Sequence, residues 1–255
     1  MFEPDGWVYR ARIGLLVPDG DVGPESEISA MVPPGVGVNA SRFRFPSRQD
    51  APAPGQIGIS PVEAVAAPGP LDDAVRLVAR APVDAIALAF TSTSYVGGDG
   101  DDPRLAERLA ALSEGKPVVT TGEAILQGLK RLGAARVMLV DPPWFPPALT
   151  DQGAAWLTRN GLAVAQAAAA DLPGGQGAIH PGGLYRWIKA AAPPDVDAIV
   201  IGGNGFRAVG AVRALEADLK IPVVAANAAL LWRVLRTLGL PTGEVTRYGR
   251  LFAED

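Results

Sequence analysis

Four short segments of this 255-residue chain recur later in the same order. Arg12-Ile13-Gly14-Leu15-Leu16-Val17 is matched by Arg136-Val137-Met138-Leu139-Val140-Asp141, and Gly35-Val36-Gly37-Val38 by Gly161-Leu162-Ala163-Val164. Val83-Asp84-Ala85-Ile86 returns as Val196-Asp197-Ala198-Ile199. Pro117-Val118-Val119, with the helical stretch to Leu132-Gly133, returns as Pro222-Val223-Val224 with the stretch to Leu238-Gly239. One such match in an Ala- and Val-rich chain is chance; four in order are a duplication. The chain is therefore expected to fold as two similar halves of about 110 residues related by a pseudo-twofold axis.

The repeated unit is α/β. Apolar runs at 13–17, 85–90, 137–140 and 198–201 each stop at turn residues, and shorter ones follow Pro117 and Pro222. Runs of this length bounded by turn signals predict strands covered on both faces. Helical patterns fill 71–80, 103–112, 123–132, 147–159, 184–192, 206–219 and 228–238. Alternation of the two predicts a parallel sheet flanked by helices in each half. The helix after Val119 crosses into the second half, and symmetry asks for a return. The expected division is 1–118 plus 226–255 for the first half and 119–225 for the second.

Composition narrows the chemistry. The chain has no cysteine, which removes disulfides, thiolate metal sites, iron–sulfur sites and a thiol nucleophile. Its single histidine, His180, leaves no histidine-rich metal site, so neither a metal nor an organic cofactor is expected. The net charge is −4 with no basic stripe, which argues against a nucleic-acid surface. The N-terminus lacks a basic n-region, and no apolar run approaches the ~18–20 residues of a membrane span. A cytoplasmic protein is expected.

Ligands of open parallel sheets bind outside the carboxyl ends of the strands. That rule selects Pro18-Asp19-Gly20-Asp21, Thr91-Ser92-Thr93-Ser94-Tyr95, Asp141-Pro142-Pro143-Trp144 and Gly202-Gly203-Asn204-Gly205 as walls of a cleft between the halves. The hydroxyl run at 91–94 reads either as donors for a carboxylate or enolate, or as a plain turn with hydroxyl caps. The glycines at 202, 203 and 205 read either as a close backbone approach to a ligand or as a turn. They lack the spacing of a dinucleotide fingerprint. Asp19, Asp21 and Asp141 are acid/base candidates or caps. Trp144 and Phe145 are core or an aromatic wall. His180 precedes a helix, as a capping residue does, and no hydrolase elbow accompanies it.

Several segments resemble the aspartate/glutamate racemase superfamily, on the branch that holds arylmalonate decarboxylase and maleate cis-trans isomerase. They are Arg12 to Pro18, the Thr91-Ser92-x-Ser94 strand end, residues 118–133 with Arg136-Val137, Ile221 to Val224, and the ending Tyr248-Gly249-Arg250-Leu251-Phe252. The resemblance implies a small-molecule carboxylate bound between two pseudo-symmetric halves, with one or two cysteines, one per half, moving protons or attacking a double bond. Those cysteine positions fall at Phe90 and Gly203, 113 residues apart, as are the two Val-Asp-Ala-Ile copies. Asp19-Gly20-Asp21-Val22 stands where the isomerases carry Ser-Ser-Asn-Thr, and Pro143 where a carboxylate-binding tyrosine stands.

The resemblance implies a cofactor-independent decarboxylase or isomerase-like enzyme on a small carboxylic acid of arylmalonate or maleate type, with a proton donor other than cysteine. Pro18, Thr91, Ser92, Trp144, Gly203, Asn204 and Gly205 are the expected substrate-binding residues, and Asp21, Tyr95 and Asp141 the expected proton-transfer residues. Two alternatives stay open: a small-molecule-binding descendant without catalysis, and a hydrolase or hydratase using Asp21 or His180. The sequence leaves a monomer and a homodimer equally open.

Overall fold

The computed structural model of the chain describes residues 7–8, 10–46, 55–98 and 101–253. The first half runs β1 (Ala11–Pro18), α1 (Gly23–Met31), β2 (Val36–Phe43), α2 (Ile59–Ala66), α3 (Pro70–Ala79), β3 (Ala85–Leu88), α4 (Ser92–Val96), α5 (Asp101–Ala111) and β4 (Val118–Thr120). There follow α6 (Thr121–Arg131), β5 (Arg136–Asp141), α7 (Pro147–Arg159), β6 (Ala163–Ala169), α8 (Pro181–Ala191), β7 (Ala198–Ile201), α9 (Val209–Leu219), β8 (Val223–Ala225) and α10 (Ala226–Thr237). Short 3-10 turns lie at Gln176–Ala178 and Arg250–Phe252.

The repeated sequence becomes a repeated topology. Two four-stranded, all-parallel sheets have the orders β2-β1-β3-β4 and β6-β5-β7-β8. In both, the central strands are buried along almost their whole length, as their unbroken apolar runs require. The aspartate of the Val-Asp-Ala-Ile repeat has the same job twice. Asp84 Oδ2 accepts from the Arg12 amide at the start of β1 (2.7 Å), and Asp197 Oδ2 from the Arg136 amide at the start of β5 (2.7 Å). Each carboxylate pins the central strand of its sheet to the loop before the neighbouring strand.

The halves share one core. A single apolar cluster runs from Ile13 and Leu15 through Val137 and Leu139 to Val224 and Leu235, and a smaller one covers the outer face of the first sheet around Leu16, Val75 and Leu88. Helix α6 packs with Gly128 against Val224 of the second sheet and Leu251 of the tail. Helix α10 packs on α6 and reaches α1, β3 and β4 of the first half. Glu216 accepts from the Val223 and Arg250 amides (3.0 and 2.9 Å), which ties the tail to the second sheet.

Each predicted helix and strand is present, with α7 and β7 matching to the residue. Sequence patterning does not reveal β2, β6, α1, α2 and α4. Strand β2 sits at a sheet edge and carries the polar run Asn39, Ser41 and Arg42. Strand β6, also at an edge, is mostly alanine and leaves the strand signal to its backbone.

Candidate functional site

The carboxyl ends of β1, β3, β5 and β7 open onto a cleft of about 560 Å³ between the halves. Pro18, Asp21, Phe90, Thr91, Ser92, Trp144, Gly203, Asn204 and Gly205 all line it. Tyr95, Asp141 and His180 do not. The walls are aromatic. Phe90 stands edge-on to Phe43 and Phe45 (centroids 5.9 and 5.7 Å), and Trp144 edge-on to Phe206 (6.0 Å). Rings held this way by neighbouring rings give a rigid apolar surface.

At the pseudo-twofold axis the two halves hold each other through equivalent residues. Thr91 follows Phe90, and Asn204 follows Gly203. Asn204 Oδ1 accepts from both the Thr91 amide (2.8 Å) and the Thr91 hydroxyl (2.6 Å). Asn204 Nδ2 donates to Thr121 Oγ1 and to Asn227 Oδ1 (3.1 and 2.9 Å). Asn227 Nδ2 donates to Glu27 Oε2 (2.8 Å), and Glu27 Oε1 accepts from the Ala208 and Val209 amides that open α9 (2.7 and 3.0 Å). All of these side chains are buried. Burial pushes the Glu27 carboxyl above its ordinary range, and the bonds from Asn227, Val209 and Ala208 pull against that.

The donors left for a ligand are therefore not those of Thr91, whose amide and hydroxyl are both committed to Asn204. Among the described residues, the amides of Gly203, Asn204 and Gly205 and the hydroxyl of Ser92 make no intramolecular bond. Three successive unbonded amides on residues that line the cleft are donors available to an anion. Gly203 permits this backbone: its φ is +73°, and a Cβ there would stand 2.7 Å from Pro142 Cγ. A side chain at the position that the resemblance gives to the second cysteine would thus be strained and would have to displace the Pro142 ring. The first, Phe90, is filled by a ring.

Asp21 lies on the same wall. Gln176 Nε2 donates to Asp21 Oδ1, and Gln176 Oε1 accepts from the Val22 amide (3.1 Å). Asp21 Oδ2 lies 3.2 Å from where a Cβ would project from Gly205. Arg42 fastens this loop by donating to the backbone oxygen of Asp21 (2.7 Å) while pairing with Glu25.

Tyr95 and Asp141 are brought together, but behind the cleft rather than in it. The Tyr95 hydroxyl donates to Asp141 Oδ1 (3.0 Å), and its ring packs on Phe145 and Trp156 (6.2 and 5.6 Å). Both polar ends lie directly under Gly202, where a Cβ would meet each at 2.3 Å. Burial pushes the Asp141 carboxyl up to about 7, against the pull of the Tyr95 bond. The Thr150 hydroxyl also pulls the carboxyl down, although Asp141 Oδ2 and Thr150 Oγ1 do not form a well-aligned hydrogen bond. His180 is the N-cap of α8, with Nδ1 accepting from the Gly182 amide (3.1 Å), and it is exposed.

Sequence reasoning missed Glu27, Asn227 and Gln176. Glu27 sits on the unpredicted α1. Asn227 has glycine, Gly122, at the matching place in α6, so the repeat gives no hint of it. Gln176 carried one usable signal, its setting among Gly174, Gly175 and Gly177 beside a strand end. No group of three or more His, Asp or Glu among the described residues could hold a metal ion, and no helix there is long and apolar enough to cross a membrane.

A family model described as arylmalonate decarboxylase matches residues 69–252. The chain is 28% identical over 251 residues to a maleate isomerase of Nocardia farcinica, covering 96% of each. It is 26% identical over 187 residues to an arylmalonate decarboxylase of Bordetella bronchiseptica, covering 72% of this chain and 77% of that one. The maleate isomerase of Pseudomonas putida S16 superposes with a TM-score of 0.81 at 25% identity, over 95% of this chain and 98% of that structure.

Proposed function

The chain belongs to the arylmalonate decarboxylase family, and on that premise we propose that it is a cofactor-independent lyase that decarboxylates a small malonate-type acid through an enediolate. The observation that carries this reading is the set of unbonded amides at 203–205, with the Ser92 hydroxyl, on residues that line an aromatic cleft together with Asp21.

The chemistry follows from what these groups supply. One substrate carboxylate sits on the amides and the Ser92 hydroxyl. The second, turned toward Phe90 and Trp144, loses solvation against apolar walls. Its C–C bond breaks, carbon dioxide leaves, and the electron pair passes into an enediolate on the carboxylate that remains. Amides placed where negative charge develops stabilise that state more than the starting acid. Asp21 then delivers a proton to the carbon and regains one from water. This route needs no thiol.

Isomerisation by thiol addition is closed to this chain. One structure of the Nocardia isomerase carries a covalently bound succinylcysteine intermediate, and this sequence has no cysteine to form one. A hydrolytic reading would rest on Asp21 alone, since His180 is occupied as a helix cap.

The test is incubation with phenylmalonate, alkylmalonates and maleate, followed by mass spectrometry. Monocarboxylate and carbon dioxide from a malonate, and no fumarate from maleate, are expected. Asp21→Asn should lower turnover by about 10²-fold or more with the fold intact. Binding of malonates without product would leave a small-molecule-binding descendant of the family and overturn the lyase reading.

A further inference from the structure

We infer that Glu27 is a positioning residue for the anion site: as an acceptor-only carboxylate it sets the direction of the hydrogen-bond chain Glu27–Asn227–Asn204–Thr91, and it holds the turn that carries the 203–205 amides. The inference rests on the proposed anion site and adds to it a residue that does not line the cleft.

Two ends of the chain dictate the same direction independently. At one end, Glu27 has only acceptors to offer, so Asn227 must present its amide nitrogen there, which turns Asn227 Oδ1 toward Asn204. At the other end, the Thr91 backbone N–H can only donate, so Asn204 must present Oδ1 there and Nδ2 to Asn227. Thr121 agrees with both, because its hydroxyl accepts from Asn204 Nδ2 and donates to the Leu88 carbonyl (2.7 Å). Every donor meets an acceptor only in this one arrangement, and a satisfied buried network specifies a single geometry. Glu27 also grips the Ala208 and Val209 amides, and Asn227 Nδ2 donates to the Asn204 carbonyl (2.9 Å). The turn between them is held at both flanks, although Glu27 comes from the first half and the turn from the second.

The test begins with the wild-type protein. In its NMR spectrum the Thr91 hydroxyl proton should be resolved, slow to exchange, and close to the Asn204 side chain. A freely exchanging hydroxyl overturns the proposed direction, whatever the protein turns over. The second step is Glu27→Gln, which places an NH₂ against either Asn227 or the α9 amides and forces one flip. With phenylmalonate as probe, kcat should fall about 10²-fold with KM changed little, because amides misplaced by a fraction of an ångström fail the enediolate first. Glu27→Gln with Asn227→Asp moves the acceptor-only group one link along the chain and should recover part of kcat. Equal loss in both variants, or a fall in Tm with kcat per folded molecule unchanged, overturns the inference. If wild-type protein turns over no malonate, the lyase reading fails by itself; loss of the slow Thr91 hydroxyl resonance in Glu27→Gln, with its return in the double variant, still supports the inference, and an unchanged resonance in Glu27→Gln overturns it.

Discussion

The first half answers position 90 with a phenylalanine ring seated on two others, while the second answers the equivalent position 203 with a glycine whose side-chain direction is blocked by Pro142. One half therefore supplies the cleft with shape and the other with polar backbone. A similar asymmetry lies deeper. Val17 in β1 is apolar and buried, and its counterpart in β5 is the equally buried Asp141. Duplication has kept strand order, strand pinning and helix placement. What differs is concentrated at and just behind the strand ends. The scaffold is a shared solution to burying two sheets, and the site is where two copies of it were free to diverge.

The largest expected effect comes from the buried acid of the second half. Asp141 has a folded pKa raised to about 7 from 3.8. Between those values the unfolded chain has released the proton and the folded protein keeps it. The Asp141 contribution to stability is therefore full below about pH 4, falls as pH rises, and levels off above about 7, a loss of about 4 kcal/mol. Glu27 and Glu216 are also raised by burial and add slopes of the same sign. Asp141→Asn keeps an acceptor for Tyr95 but titrates nothing. Urea unfolding of wild type and variant at pH 4.5, 5.5, 6.5 and 7.5 should show the difference between them shrinking or reversing in the variant's favour as pH rises. A pH-independent difference would remove Asp141 from this account.

Next comes the attempt to give each half the same residue. Gly203→Cys must place a Cβ at positive φ against a proline ring, and should destabilise the protein by about 2–4 kcal/mol. Phe90→Cys meets no backbone obstacle. It removes a half-buried ring from Phe43 and Phe45 and should cost about 1–2 kcal/mol while widening the cleft. Paired thermal melts decide it. Equal losses would mean that the Pro142 contact relaxes freely and that the two positions are alike after all.

These contrasts also explain what the sequence could and could not reveal. The scaffold was legible because central strands are long apolar runs and because Asp84 and Asp197 repeat in their frame. The four cleft loops were legible from the strand ends alone. The roles inside them were less so. Thr91 reads as a ligand donor until Asn204 is seen to take both its hydrogens, a contact across 113 residues. Asp141 and Tyr95 read as cleft residues until Gly202 is seen to lie over them. Glu27 carries no local signal, since its meaning depends on α9 and α10, which are distant in sequence. Periodicity reports which face is buried; it does not report which buried polar groups meet.

The smallest expected effect tests whether the halves are alike where they look alike. Asp84 accepts one backbone N–H, from Arg12, whereas Asp197 accepts two, from Arg136 and from Ala135 (3.0 Å). The backbone bonds hold the Asp197 carboxyl below the ordinary carboxylate range. Each aspartate spans from the loop before a strand to the start of the central strand beside it, so removing either loosens one sheet at its amino edge, away from the cleft. Asp197→Asn should lower Tm more than Asp84→Asn. The Asp197 difference from wild type should fade as pH falls through the carboxylate range, because protonation removes the same acceptor. Neither change should alter turnover by more than about twofold, since additivity holds for sites this far from the chemistry. A larger drop for Asp84→Asn would show that the first sheet depends on its single pin more than the second does on two, and that the resemblance of the halves stops at topology.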